Sequence, residues 1–170
     1  MAVLKIVIAP NPLLQMVSAS VDIISEEIKT LEKDMLETMY ENNVVGLSAV
    51  QVGVLKRVIV ADVEWANLED GIKGVQYVMI NPEIIESESI NEYNEGCLSF
   101  PDEFVKISRP KVIRVKYQDI NNKIQIIEAD GLLATCIQHE IDHLNGKTIS
   151  SYVSHQKKTM MLNRLKKKWH

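Results

Sequence analysis

Gln138-His139-Glu140-Ile141-Asp142-His143 is the stretch on which the reading of this chain turns. It contains H-E-x-x-H. At about 3.6 residues per turn, positions 139 and 143 lie one above the other on one helix face, where two imidazoles can grip one metal ion. Glu140 falls beside them, placed to take a proton from water on that metal. A core helix with two hydrogen-bonded histidines would explain the pair. It would not explain a carboxylate at their edge, because a buried carboxylate without a partner is costly.

The flanking residues place this helix at the centre of the fold. Leu133, Ile137, Ile141 and Leu144 form one apolar stripe. Leu132, Cys136, His139 and His143 form a second, about a third of a turn away. Ala134, Gln138 and Asp142 alone suit solvent. A helix apolar or functional on two sides packs against more than one layer. Asn145-Gly146 predicts its end.

A catalytic site of this kind uses three protein ligands and keeps one position for water. Cys136 is three residues before His139, but a metal held by 139 and 143 sits near the level of 141, about 7.5 Å farther along the axis at about 1.5 Å per residue. A metal–sulfur bond of about 2.3 Å does not comfortably bridge that gap. Cys97 is the other cysteine, in Glu95-Gly96-Cys97-Leu98-Ser99-Phe100-Pro101, where Gly96 and Pro101 predict an irregular or edge segment. Cys97 is therefore the leading third ligand, with His155, His170 and the carboxylates still open. These ligand types permit zinc, iron, cobalt or nickel.

Around this centre the sequence predicts an α+β fold, with small mixed or antiparallel sheets wrapping the metal-bearing helix. Ile24, Ile28, Leu31, Met35 and Met39 recur at helical spacing and predict an N-terminal amphipathic helix ending near Asn42-Asn43. Arg57 to Val63, Tyr77 to Ile80, Val112 to Tyr117 and Ile124 to Ile127 read as strands, with a hairpin at Asn121-Asn122. Glu64 to Gly74 reads as a polar loop. The run from Val3 to Ala9 contains Lys5 and stops at Pro10; it reads as a strand rather than a signal peptide.

The chain has 170 residues, 46% of them hydrophobic, enough for one domain with a full core. Two cysteines argue against a disulfide scaffold and for a reducing, cytoplasmic compartment. No segment approaches the length of a membrane-spanning helix. The net charge of −4 is unevenly spread. His155 to His170 holds Lys157, Lys158, Arg164, Lys166, Lys167 and Lys168 and no acidic residue, leaving −10 on the rest. Met161, Leu165 and Trp169 form one stripe there, so residues from about 154 to 170 predict a terminal helix with one docked and one basic face. The basic face is either a solvated surface or a contact for phosphate-rich RNA.

Gly46-Leu47-Ser48-Ala49-Val50-Gln51, Glu95-Gly96-Cys97-Leu98-Ser99 and Gln138 to His143 resemble, in order and spacing, the three signature motifs of the peptide deformylases. Ala2 to Leu14, Asp34 to Tyr40 and Glu128 to Leu133 extend the resemblance over essentially the whole chain, read as one domain over 1–170. The resemblance implies removal of the formyl group from the N-terminal formyl-methionine of nascent polypeptides, releasing formate. It implies Cys97, His139 and His143 as metal ligands and Glu140 as general base, then acid. It places the Gln51 side-chain amide and the Leu98 backbone N–H at the developing oxyanion. Val45, Gly46, Leu132 and Cys136 would surround the methionine side chain. It further implies ferrous iron as the native ion, replaceable by zinc or nickel. Its bacterial setting is the cytoplasm, with the C-terminal helix docked on the ribosome near the exit tunnel, for which Lys166, Lys167 and Lys168 are the candidate contacts. Neither DNA nor a membrane is an expected partner.

Five positions depart from the family pattern. Val44 stands where the first motif has a glycine, which predicts a narrower or reshaped site. Ser48 replaces a common alanine, Phe104 a common arginine, and Thr148-Ile149 a Leu-Phe pair. Two other readings stay open: another H-E-x-x-H peptidase, against which the E-G-C-L-S segment speaks, and a catalytically silent, metal-stabilised ribosome-binding homologue, against which Glu140 speaks.

Overall fold

In the computed structural model, which describes residues 2–170, the elements run α1 (Glu26–Glu41), β1 (Gly46–Ser48), β2 (Val58–Ala61), β3 (Tyr77–Glu88), β4 (Asn91–Cys97), β5 (Phe100–Arg109), β6 (Val112–Gln118), β7 (Ile124–Asp130), α2 (Gly131–Leu144) and α3 (His155–Trp169). The strands form an antiparallel five-stranded sheet, ordered β1-β2-β3-β6-β7, and a two-stranded sheet, β4-β5.

Strand β2 explains how two helices share one sheet. All of Val58, Ile59, Val60 and Ala61 are buried, as a strand covered on both faces requires. Alternation sends Val58 and Val60 into a cluster with Ile28, Met35 and Met39 of α1. Ile59 joins Ile137, Ile141 and Leu144 of α2 on the opposite face. Helix α1 starts where Ser25 accepts a hydrogen bond from the Ile28 N–H, with Glu26 and Glu27 in its first turn. It stops at Asn42, and Asn43 takes the left-handed conformation at φ 56°.

The third core cluster joins the β4-β5 hairpin to both termini. Ala9, Leu14, Phe100, Val105 and Ile107 pack with Met161 and Leu165 of α3. Trp169, expected on the same docked stripe, lies outside that cluster and is 47% exposed, one turn beyond the last buried position.

Three other expectations are corrected. Val3 to Ala9 is not a strand. Its backbone bonds two separate segments instead of one ladder: Val7 N–H donates to Gln51 O (2.8 Å) and Ala9 N–H to Ser99 O (2.9 Å). Ala134 and Gln138 of α2 are buried rather than solvated. The Gln138 amide donates to Pro110 O (2.9 Å) in the β5-β6 link and to Ala134 O (3.1 Å), so its polarity is satisfied inside. Strand β2 ends at Ala61, short of Val63, because the buried Asp62 carboxylate instead accepts from the Tyr40 hydroxyl (2.6 Å) and Gly74 N–H (2.9 Å).

Candidate active site

Helix α2 presents His139 and His143 from successive turns, with their Nε2 atoms 3.3 Å apart. The end of β4 brings Cys97 Sγ to 3.3 Å from His143 Nε2. A register shift between Gly96 and Cys97 takes the cysteine out of the regular ladder, the re-aiming a bulge provides. Among the described residues, Cys97, His139 and His143 are the one group of three potential ligands with metal-site spacing, their atoms within 4.8 Å of one another. Cys136 is not in it; its thiol donates to Val45 O at 3.6 Å.

The donor set fits a divalent ion. Glu95 Oε1 accepts a hydrogen bond from His139 Nδ1 at 2.9 Å, which turns His139 Nε2 toward the sulfur and the second imidazole. Burial and the neighbouring His139 push the His143 pKa down, keeping it the neutral imidazole that a metal needs. Burial opposes charge on His139, yet Glu140, Cys97 and Glu95 outweigh it and push its pKa up. The surroundings thus favour one positive charge at this point, which a cation supplies in place of a proton. Metal–nitrogen bonds of about 2.0–2.1 Å and a metal–sulfur bond of about 2.3 Å put the ligand atoms of a tetrahedral site roughly 3.4–3.6 Å apart, close to the spacings found here.

A buried charge network stands behind the histidines. Arg109, 5% exposed, donates to both Glu95 oxygens (Nε to Oε2 2.7 Å, Nη2 to Oε1 3.0 Å) and to Asp142 Oδ2 (2.8 Å). The Tyr152 hydroxyl donates to the same Asp142 oxygen. Burial alone would raise the Glu95 pKa, but His139 and Arg109 hold it below the usual carboxylate range.

Glu140 is buried, and its Oε1 has no hydrogen-bond partner among the described residues. Burial, opposed by His139, pushes its carboxyl up to about 7, the range of a group that exchanges protons near neutrality. Gly46 makes room for it. A Cβ on Gly46 would stand 2.5 Å from Cys136 Sγ and 2.8 Å from Glu140 Oε2, so β1 approaches α2 this closely only with glycine there.

A cavity of about 480 Å³ opens over these groups. Gln51, Cys97, Leu98, His139 and Glu140 line it, together with Val45, Gly46, Leu132 and Cys136. His143 is fully buried. Gln51 belongs to a short 3-10 turn, Ala49–Val52. Its Oε1 accepts the Ser48 N–H (3.0 Å), so its Nε2 faces Ser99 Oγ (3.2 Å) and Cys97 Sγ (3.6 Å). Val44 also lines the cavity and needs no unusual backbone, since the left-handed residue is Asn43. Phe104 forms part of the rim, 65% exposed, its ring against Gly96. Lys166, Lys167 and Lys168 are exposed on α3, and Lys168 pairs with Asp102 at 2.7 Å.

Glu95, Ser99, Arg109 and Tyr152 also belong to the site, beyond the residues expected from sequence. Glu95 and Ser99 stand within the E-G-C-L-S segment, and a carboxylate two residues before the candidate ligand Cys97 is a usable signal. Arg109 and Tyr152 carry no local signal, because their partners are distant in sequence.

Two imidazoles and a thiol around one point, a buried carboxyl beside them and an amide donor facing the sulfur define the site of a metal-dependent hydrolase of the H-E-x-x-H class. The family model for polypeptide deformylase matches residues 3–159. The chain belongs to the polypeptide deformylase family. It is 45% identical over 168 residues to the peptide deformylase of Rhizobium meliloti, covering 98% of this chain and 94% of that one. The Wolbachia peptide deformylase is also 45% identical, with 98% and 96% covered. The crystal structure of the Ehrlichia chaffeensis peptide deformylase in complex with actinonin superposes with a TM-score of 0.93 at 42% identity, covering 100% of this chain and 99% of that one.

Proposed function

We propose that this chain hydrolyses the formyl amide of N-terminal formyl-methionine on nascent polypeptides, releasing formate. The observation that carries the reading is the convergence of Cys97, His139 and His143 with Glu140 and Gln51 at one apolar-walled cavity. Cys97, His139 and His143 would hold one divalent ion, ferrous iron in the cell, with zinc, nickel or cobalt as substitutes. When bound, such an ion would supply Lewis-acid chemistry for the formyl carbonyl. Glu140 takes the proton of the attacking water and passes it to the amide nitrogen as the C–N bond breaks, leaving formate and a free amine. Gln51 Nε2 and the Leu98 N–H donate to the oxygen that gains charge, an interaction strongest in the transition state. Val45, Gly46, Leu132 and Cys136 enclose the methionine side chain. Burial and Glu140 push the Cys136 pKa up, so it stays an uncharged thiol suited to that wall.

Family membership and the retained Glu140 disfavour both the general peptidase and the silent homologue. Residues 1–170 act as one domain, because α3 docks through Met161 and Leu165 on the β5 cluster. Lys166 and Lys167, with Lys168 beyond its Asp102 pair, offer the ribosome a basic face in the bacterial cytoplasm. Among the described residues, no helix is long and apolar enough to cross a membrane. The test is formate release from formyl-methionyl peptides by metal-loaded protein, with loss of metal and turnover in Cys97→Ala. Retained metal in that variant would overturn the ligand assignment.

A further inference from the structure

Ser48 is fully buried, and its hydroxyl, which also caps the Ala49–Val52 turn at the Gln51 backbone N–H, meets the Gln51 side chain. It donates to Gln51 Oε1 at 3.1 Å, alongside the Ser48 backbone N–H at 3.0 Å. A backbone N–H can only donate, so the atom it meets is the amide oxygen, and the hydroxyl beside it must donate as well. The amide oxygen therefore accepts two hydrogen bonds. On the nitrogen side, one N–H is directed to Ser99 Oγ (3.2 Å) and the other toward Cys97 Sγ (3.6 Å) at the cavity.

We propose that Ser48 is a positioning residue for deformylation: its hydroxyl locks and polarises the Gln51 amide so that the cavity-facing N–H meets the developing oxyanion. Two donors on the carbonyl oxygen fix the amide plane. They also draw electron density from the nitrogen, and hydrogen bonds in such a chain strengthen one another. The hydroxyl needs no contact with substrate. Alanine would leave the backbone N–H bond in place but remove the second donor, so the amide would keep its orientation and lose rigidity and donor strength. The inference rests on the reading of Gln51 as an oxyanion donor.

A double-mutant cycle tests it. Ser48→Ala, Gln51→Ala and the double variant are compared at equal metal content on one formyl-methionyl peptide. Ser48→Ala lowers kcat about threefold to tenfold, the worth of one hydrogen bond, with KM changed less than twofold, because the interaction matures only in the transition state. Gln51→Ala lowers kcat further, and adding Ser48→Ala to it has no additional effect. An unchanged kcat in Ser48→Ala overturns the proposal. So does an equal loss in both backgrounds, which marks a merely structural serine. If Gln51→Ala leaves kcat intact, the oxyanion role of Gln51 falls and this inference with it, while formate release by the wild type still stands. Wild-type protein that releases no formate overturns the activity itself.

Discussion

Glu95 Oε1 and His139 Nδ1 lie 2.9 Å apart, and this contact decides which nitrogen His139 offers to the centre of the site. Arg109 holds Glu95 from behind with two hydrogen bonds, so His139, a candidate ligand, is oriented by a buried ion pair that reaches β5. Glu95→Ala removes that orientation. Metal affinity measured by chelator competition should fall about 10-fold to 100-fold. An unchanged affinity would mean that His139 is held by packing alone.

The same pair gives stability a pH dependence. Burial works against the Glu95 charge, but His139 and Arg109 hold its pKa below the ordinary value in the folded protein. A depressed carboxyl binds fewer protons folded than unfolded. It contributes stability above the unfolded pKa of about 4.3 and loses it as pH falls through the folded value. Denaturation followed between pH 7 and pH 3 should show wild-type stability dropping more steeply than that of Glu95→Gln. Parallel curves would remove Glu95 from the explanation.

Gly46 tests the closeness of β1 to α2. Gly46→Ala drives a methyl group into Cys136 Sγ and Glu140. Overpacking of this kind costs about 1–3 kcal/mol, read from chemical denaturation, and turnover should fall with it. Adding Cys136→Ala should recover part of the stability by vacating the nearer obstacle. No loss in the single variant would show that the two elements separate freely.

The basic face of α3 is tested by charge reversal. Binding to ribosomes should weaken steeply with rising salt, because each phosphate contact releases counterions. Lys166→Glu with Lys167→Glu should weaken it further while hydrolysis of a short formyl peptide stays near wild type. Lys168 is a poorer probe, since its partner Asp102 lines the cavity rim. Binding indifferent to both salt and reversal would leave α3 as a solvated helix.

Helix α2 was legible in the sequence because one period carries both its paired histidines and its apolar stripes. The wheel failed at Ala134 and Gln138, since it shows no second layer and could not reveal that Pro110 O takes up the Gln138 amide. Strand β4, Asn-Glu-Tyr-Asn-Glu-Gly-Cys, was invisible because its polar residues carry little strand preference; the pairing with β5 makes it a strand. Strand β3 read as ending at Ile80 because Asn81 (φ 52°) and Pro82 interrupt the pattern, yet the ladder with β6 resumes at Glu83 across a register shift. Val3 to Ala9 misled in the other direction: an apolar run whose backbone ties the Gln51 and Ser99 segments together. The clustered Cys97, His139 and His143 were readable as motifs, whereas Arg109 was not, because its partner Glu95 is brought to it only by the hairpin.

Glu140→Gln is the most direct test of the account. Glutamine keeps the shape but cannot accept a proton at neutral pH, and Glu140 is not among the three clustered ligands. The variant should bind metal as the wild type does, while kcat on a formyl-methionyl peptide falls by roughly 10² or more, the usual worth of a positioned acid–base group. Near wild-type turnover in a fully metal-loaded Glu140→Gln protein would contradict the account.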